Sequence, residues 1–314
     1  MQVKAVKLLF ESPLHVGSEN GLSEAVLPVH SDTIFSAVIN ALVYLDVDIW
    51  PFVEAFEREE FSISSGFPFK GEEFYFPKPL HINDLLRDRI AKNIENYSKL
   101  KKLKKKPFFD KKSFEKLLSG ELPDFDEINF EESYGYRIGD IPKVALNRIT
   151  ANSQIYYISQ VFFDEDAGLY FLYNGNKSWF KDYIIPAMKL LADEGIGGKR
   201  TWGLGLFELD VDNIEIKLPE NKRNFTTLSL MIPQSRNSLV LWGFIRRSGW
   251  VFTRNGKPRR KPTMIMVSEG SIVKNDPGRL IDLDNYGNFS AEVGHKVLVN
   301  AKSFLIPVGW DYET

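Results

Sequence analysis

Hydrophobic positions alternate from the start of the chain, where Val6, Leu8 and Phe10 interleave with Lys7 and Leu9, the period of a strand with one face on a core. Further on, Ser31 and Asp32 precede Ile34, Val38, Ala41, Leu42 and Leu45 at helical spacing, which predicts a helix capped by Ser31 or Asp32. A second short helix is expected near Asp48, with Pro51 in its first turn. Residues 61–65 read as a strand, and 67–69 with 74–76 as a hairpin turning at Lys70-Gly71 and closed by Pro77 and Pro79. Between residues 82 and 133 the aromatic strands give way to helix-prone, highly charged sequence broken by Pro107, Gly120 and Pro123, expected as an insertion projecting from the sheet. Strand patterns resume at 144–149, 155–163 and 169–173, the last two joined by the acidic turn from Asp164 to Gly168. A helix over about 177–194 is stopped by Gly195, and a glycine loop through Gly205 leads into a strand at 206–211.

Residues 1–212 thus read β-α-β-β, insertion, β-β-α-β. That is the ferredoxin-like (RRM-like) order with extra strands, in an α+β chain. Residues 213–314 differ: strand patterns recur at 225–232, 239–245, 250–252, 263–267 and 297–299 with no convincing helical period, which predicts a smaller β-rich domain. Two domains are also the expectation for 314 residues. No short repeat of fixed period is present.

Composition narrows the class. Hydrophobic residues make up 43% and charged residues 26%, with a formal net charge of −2, so the chain has the means to fold and not the profile of disorder. The absence of Cys excludes a disulfide scaffold and a cysteine-ligated zinc site. Met1 to Lys7 enters a strand with no signal-peptide pattern, and no apolar stretch approaches the roughly 20 residues of a membrane helix, so a cytoplasmic protein with no membrane partner is expected. The net charge does not announce a nucleic-acid binder, so any such binding must rest on local clusters. One cluster is plain: residues 221–268 hold no Asp or Glu but carry Lys222, Arg223, Arg236, Arg246, Arg247, Arg254, Lys257, Arg259, Arg260 and Lys261. A basic run over 99–112, followed by Glu121, Asp124, Asp126, Glu127, Glu131 and Glu132, also reads as a solvated face.

The loop Gly195-Ile196-Gly197-Gly198-Lys199-Arg200-Thr201-Trp202-Gly203-Leu204-Gly205 invites nucleotide motifs and fails them. A P-loop would need Gly at Asp193 and Ser or Thr at Arg200, and a dinucleotide fingerprint would open a helix where this loop leaves one. ATP and NAD are thereby removed as ligands. Two readings remain open: glycines that let backbone N–H groups meet phosphates, with Lys199 and Arg200 adding charge and Trp202 a stacking face, or a tight helix-to-strand turn. His15, His30, His81 and His295 show no metal-ligand spacing, and there is no HExxH and no GxSxG. Asp164, Glu165 and Asp166 read as an acidic turn.

Several segments in order resemble one family. Pro13 to Gly17, His30 to Ala37, Ser64 to Phe69 with Phe76 to Pro79, Leu146-Asn147-Arg148-Ile149-Thr150 and the glycine loop from Gly197 are similar to the fourth Csm subunit of type III-A CRISPR–Cas effector complexes, within the RAMP superfamily. The resemblance runs to at least Leu209 and extends through 241–244 and 296–307. It implies two ferredoxin-like units, the second degraded, and a non-catalytic RNA-binding subunit that needs no cofactor and no metal. Such a subunit holds the 5′ handle of the crRNA, docks on the large polymerase/cyclase-like Csm subunit and on the first Csm backbone subunit, and sends a thumb toward target RNA near the guide 5′ end. The insertion at about 82–133 is the expected thumb. The implied RNA-binding residues are His15, Gly17, Asn147, Arg148, Thr150, Gly197, Gly198, Lys199, Arg200, Thr201, Trp202 and Gly203.

The backbone subunits of such complexes cut target RNA with an Asp between the first strand and first helix. Here that loop offers Glu11, Glu19 and Glu24 and no Asp before Asp32, which argues against target cleavage. The alternative is a metal-independent RAMP endoribonuclease that processes precursor RNA, with His15 or His30 as general base and Lys199 supporting the charged intermediate.

Overall fold

A computed structural model of the chain describes residues 1–311 apart from 19–20, 26, 91–96, 125–127, 131–132, 150–151, 221–223, 252, 254–256 and 258. At its centre is an antiparallel sheet. Gln2–Phe10 lies between Phe207–Glu215 and Ala167–Gly175. The far side of Ala167–Gly175 pairs with Phe61–Ile63 at one end and Phe67–Lys70 at the other, and Glu73–Pro77 and Phe108–Asp110 extend that edge.

The period-2 geometry of these strands feeds two cores. Val6 and Leu8 enter one with Leu169, Phe171 and Tyr173, while Val3 and Ala5 enter the other with Tyr170 and Leu172. The first core is covered by the helices Ser31–Tyr44, Trp50–Glu57 and Ile185–Glu194. The second holds Leu228, Ile272, Phe304, Ile306 and Val308, on or beside a four-stranded sheet of Leu239–Leu241, Ile272–Val273, Asn224–Thr227 and Leu305–Val308. The C-terminal residues therefore cover the second face of the central sheet. The expectation of a first strand with a single buried face is corrected, because the adjacent apolar pair Ala5-Val6 supplies both faces.

Local rules misplace the start of the first long helix. Its N-cap is His30, with Ser31 and Asp32 inside the first turn. Both side chains are claimed by distant partners: Ser31 Oγ accepts from Leu230 N at 3.1 Å, and Asp32 pairs with Arg247. The charged insertion is also corrected, because part of it belongs to the body. Ile82–Ile90 and Tyr97–Lys105 are helices, but Phe108–Asp110 is a sheet strand, and the helix Lys111–Leu118 buries Phe114, Leu117 and Leu118 in the second core. Phe76 and Phe114 stack at 4.5 Å. Apolar residues at i, i+3 and i+4 within the Lys-rich sequence are the cause.

What leaves the body instead is a ribbon of Tyr136–Leu146 paired with Ser153–Phe163. Residues 155–163 and 169–173 are therefore not sheet neighbours, and the acidic turn carries the chain from ribbon to central sheet. A second ribbon pairs Phe244–Trp250 with Arg260–Val267, and a third pairs Gly278–Asp282 with Leu298–Lys302. The short helix Phe289–Val293 escapes the sequence pattern because five residues are too few to show a period. Among the described residues no helix is long and apolar enough to cross a membrane.

Candidate nucleic-acid interface

Gly195 caps the helix with φ of 81°, and its N–H donates to Leu191 O at 2.8 Å. The loop then folds back on itself and on Pro13–His15. Ile196 N donates to Gly205 O at 3.0 Å, Gly205 N to Pro13 O at 3.0 Å and Gly198 N to His15 O at 2.8 Å. Trp202 N and Gly203 N close a 3₁₀ turn over Arg200–Trp202 by donating to Lys199 O and Arg200 O. Close approach requires glycine at two points: a Cβ on Gly197 would lie 2.6 Å from His15 O, and one on Gly205 only 2.1 Å from Ile196 O. Six loop amides are thus spent on the protein's own carbonyls. Beside its remaining amides, the loop presents the side chains of Lys199 and Arg200 to an anion.

His15 is buried, and its Nδ1 donates to Ser159 O at 2.8 Å. Leu14 and Val161 exchange backbone hydrogen bonds of 2.9 and 2.8 Å. Pro13–His15 is therefore stitched between the glycine loop and the root of the first ribbon. Lys199 Nζ stands 4.7 Å from the Trp202 ring centroid, and Lys143 Nζ from the ribbon stands 5.4 Å from it. Asn147 and Arg148 lie at the ribbon tip, where Asn147 Oδ1 accepts from Ile149 N at 3.0 Å. At about 3.3 Å per residue, even Leu146 is on the order of 10 Å beyond Lys143, so the structure does not join these two residues to the glycine loop. Thr150 lies outside the described residues.

Opposite the loop stands the second ribbon, and between them is a cleft of about 740 Å³. Gly17, Gly197, Gly198 and Arg200 line one wall, Thr33, Ser36 and Asn40 of the first helix the floor, and Arg247, Trp250, Arg260 and Lys261 the other wall. Among the described residues Glu194 is the only carboxylate in the lining. Thr201 and Gly203 sit on the exposed outer side of the turn. The ribbon is fixed by Arg247, which donates from Nε to Asp32 Oδ2 at 3.1 Å, and from one terminal nitrogen to Asp32 Oδ1 at 2.9 Å and Thr33 Oγ1 at 3.0 Å. Burial alone would raise the Asp32 carboxyl, but the Arg247 guanidinium and Lys261 ammonium hold it below its ordinary value. The Lys261 ammonium is pushed down, first by burial and then by Arg247, against the pull of Asp32.

Beneath the floor, Glu269 accepts from His30 Nδ1 at 2.8 Å and from Ser65 Oγ, while Ser31 N donates to Ser65 Oγ at 2.9 Å. Burial would raise Glu269, yet His30 and these hydrogen bonds keep it low. His30 and His15 are both buried with ring nitrogens engaged, which gives neither the open approach a general base needs. Among the described residues no group of three or more His, Cys, Asp or Glu could hold a metal ion. Sequence reasoning did not assign Lys143, Arg247, Arg260 or Lys261 to the site. The signal for the last three was the acid-free stretch 221–268, whose facing could not be read.

Two family models match the chain: the RAMP superfamily over residues 7–208 and the CRISPR Csm4 C-terminal domain over residues 220–308. The chain is 38% identical over 283 residues to the CRISPR system Cms protein Csm4 of Thermococcus onnurineus, covering 89% of this chain and 90% of that protein. It is 29% identical over 285 residues to the protein of the same name from Streptococcus thermophilus, covering 86% and 88%. Its structure is similar to one chain of a Csm1–Csm4 cassette crystallised with cA4, at TM-score 0.71 and 30% identity over 98% of both chains. The fold is shared with a chain of the Csm3–Csm4 subcomplex of a type III-A CRISPR–Cas interference complex, at TM-score 0.63 and 20% identity, covering 98% of this chain and 99% of that one. The chain is a RAMP superfamily protein. Within that class it belongs to the Csm4 family, as its ordered motifs suggested.

Proposed function

We propose that this chain is a non-catalytic, RNA-binding subunit of a type III-A effector complex and that it holds the crRNA 5′ handle in the cleft between glycine loop and second ribbon. The observation that carries this reading is the charge of the cleft: Arg200, Arg260 and Lys261 line it beside an Arg247 already paired with Asp32, and Glu194 is the one carboxylate among the described lining residues. Phosphates complement that charge, and Lys199 and Trp202 extend the path along the loop. The strand order Phe207–Glu215, Gln2–Phe10, Ala167–Gly175, Phe61–Lys70, with helices between the first and second and between the third and fourth strands of the chain, supports a ferredoxin-like unit. Residues 213–314 are its partly degraded, β-rich counterpart.

The thumb assigned from sequence to 82–133 is better placed on the ribbon 136–163, which follows the sheet strand Phe108–Asp110, leads into Ala167–Gly175 and exposes Leu146 (72%) and Ile149 (95%) near its tip. Its tip would engage target RNA near the guide 5′ end, with Asn147 and Arg148 serving there and not at the handle. The similar structures in which Csm4 is paired with Csm1 or with Csm3 support docking on a large subunit and on a backbone subunit. The test is photocrosslinking in the assembled complex, with 4-thiouridine placed in turn along the handle. Crosslinks should map to the peptides holding Lys199–Trp202 and Phe244–Lys261. Crosslinks confined to other surfaces of this chain, or to other subunits, would contradict the reading, and RNA cleavage by the isolated chain would support the endoribonuclease in its place.

A further inference from the structure

The helix Tyr97–Lys105 carries Lys99, Lys101, Lys102, Lys104 and Lys105 and no acidic residue, in a chain whose formal net charge is −2. It lies on the other side of the central sheet from the cleft. Leu103 fixes it there by burial in the second core, whereas the helix that floors the cleft covers the first. At about 100° of rotation per residue, Lys101 and Lys105 stand opposite Leu103, and Lys102 and Lys104 flank them. All four are exposed, and among the described residues none of the four makes a side-chain hydrogen bond or ion pair. A solvated helix face is stabilised by pairing Lys with Glu one turn away; here Lys105 meets Lys101 and Lys102 as like charges at i, i+4 and i, i+3. The dipole at the helix C-terminus favours cations in the last turn but does not remove that repulsion. Lys78 adds to the crowding. Its Nζ donates to Lys104 O at 2.7 Å, and burial, then Lys104, push its ammonium below the ordinary value.

A polyanion relieves such a face, and the residue types decide which kind. Protein interfaces are depleted in Lys and anchored by aromatic residues and Arg, and residues 98–105 hold neither. The Lys ammonium is a flexible point charge, suited to phosphates met along a backbone and lacking the planar fork that reads a base edge. We propose that the outward face of Tyr97–Lys105 is a second nucleic-acid surface, which holds the phosphate backbone of a strand lying outside the handle cleft, without regard to its sequence. The two surfaces belong to different cores and share no residue, so the inference does not depend on the handle reading. Single-stranded RNA and duplex DNA present the same phosphate chemistry, and the experiment separates them.

The experiment uses the full chain with Arg200→Ala and Arg260→Ala throughout, so that the cleft contributes little. In that background Lys101, Lys102, Lys104 and Lys105 are kept, all changed to Gln, or all changed to Arg. Gln and Arg match Lys in helix propensity and the four positions are exposed, so thermal unfolding should not move to lower temperature. The probes are labelled polyuridine and a labelled duplex DNA of mixed sequence, each titrated over a range of salt. The Gln form should bind roughly tenfold more weakly at low salt. Its slope of log affinity against log salt should fall by about 0.7 for each lysine that contacts a single strand, or about 0.9 on duplex DNA. The Arg form should keep both affinity and slope. A loss on polyuridine alone assigns the surface to single-stranded RNA, and a loss on the duplex alone assigns it to DNA; either supports the proposal. Equal affinity and slope in the Lys and Gln forms on both probes, or no binding of either probe by the Lys form, would overturn it and return the helix to solvated surface. Unchanged nucleic-acid binding with lost assembly of a partner subunit in the Gln form would assign the face to an acidic protein and overturn it too. Failure of the handle reading would leave these outcomes unaltered, because both cleft arginines are absent throughout.

Discussion

The ribbons 136–163 and 244–267 are both two-stranded, antiparallel and outside the two larger sheets, yet they are anchored by different physics. An isolated two-stranded hairpin is marginal in water, so each needs a root. The first is rooted by apolar contact: Val161 and Ile158 are buried, and Phe163 stacks on Phe10 at 4.8 Å. The second buries Met264 and Met266, but the strand facing the cleft is pinned by the ion pair between Arg247 and the 2%-exposed Asp32. Both carry exposed apolar side chains, Val144, Leu146 and Ile155 on the first at 54%, 72% and 63% and Phe244, Trp250 and Ile265 on the second at 61%, 59% and 60%. The second also turns Arg260 and Lys261 to the cleft. Alternation along a strand makes a ribbon in both cases, and the residue types on its faces decide what each face can meet.

The largest effect should come from breaking the ionic anchor. Arg247→Ala leaves a buried Asp32 carboxylate without its partner, at a cost of about 3–5 kcal/mol that chemical denaturation would read, whereas the pair Asp32→Asn with Arg247→Met should recover much of it. A loss below about 1 kcal/mol would mean the ribbon is held by its methionines alone. Next comes the apolar root. Phe163→Ala should cost roughly 2–3 kcal/mol, under the ~3–5 of a fully buried Phe because part of its ring is exposed, and should free amide exchange in 136–163 while sparing 244–267.

Acid should separate the two anchors more gently. The folded-state pKa of Asp32 lies below its ordinary 3.8, so the carboxylate's contribution is complete above that value and is lost as pH falls through the lower folded value. Hydrogen exchange should therefore rise in 244–250 ahead of 136–146 on acidification below pH 3.8, and the reverse order would refute the assignment of anchors. Smallest of all is the outer surface of the first ribbon. Val144→Thr with Ile155→Thr should change stability by no more than about 0.5 kcal/mol, since both side chains already face water.

The first strand, the hairpin strands near 67–76 and the helix stopped by Gly195 were legible as elements, from apolar spacing and from glycine and proline at their ends. The first ribbon was misread for the same reason, since period-2 alternation looks alike in a sheet and in a free hairpin. The C-terminal cover of the sheet was visible only in the paired apolar residues of the first strand. Asp32 illustrates what a local rule cannot reach: it stands where a cap belongs, but its partner lies 215 residues away. The glycine loop was legible as a turn between helix and strand, but not that six of its amides go to Leu191, Pro13, His15 and its own turn, because those partners are set by tertiary packing. The opposing wall was present only as a run of sequence without carboxylates, whose direction depends on tertiary packing.

The central claim is that both walls of the cleft contact the same RNA, and the salt dependence of handle binding tests it most directly. Single Arg200→Ala and Arg260→Ala variants should each lower the slope of log affinity against log salt by about 0.7, and the double variant by the sum, while Arg148→Ala at the ribbon tip leaves it unchanged. An unchanged slope on removing either wall's arginine, or a slope that depends on Arg148 alone, would contradict the account.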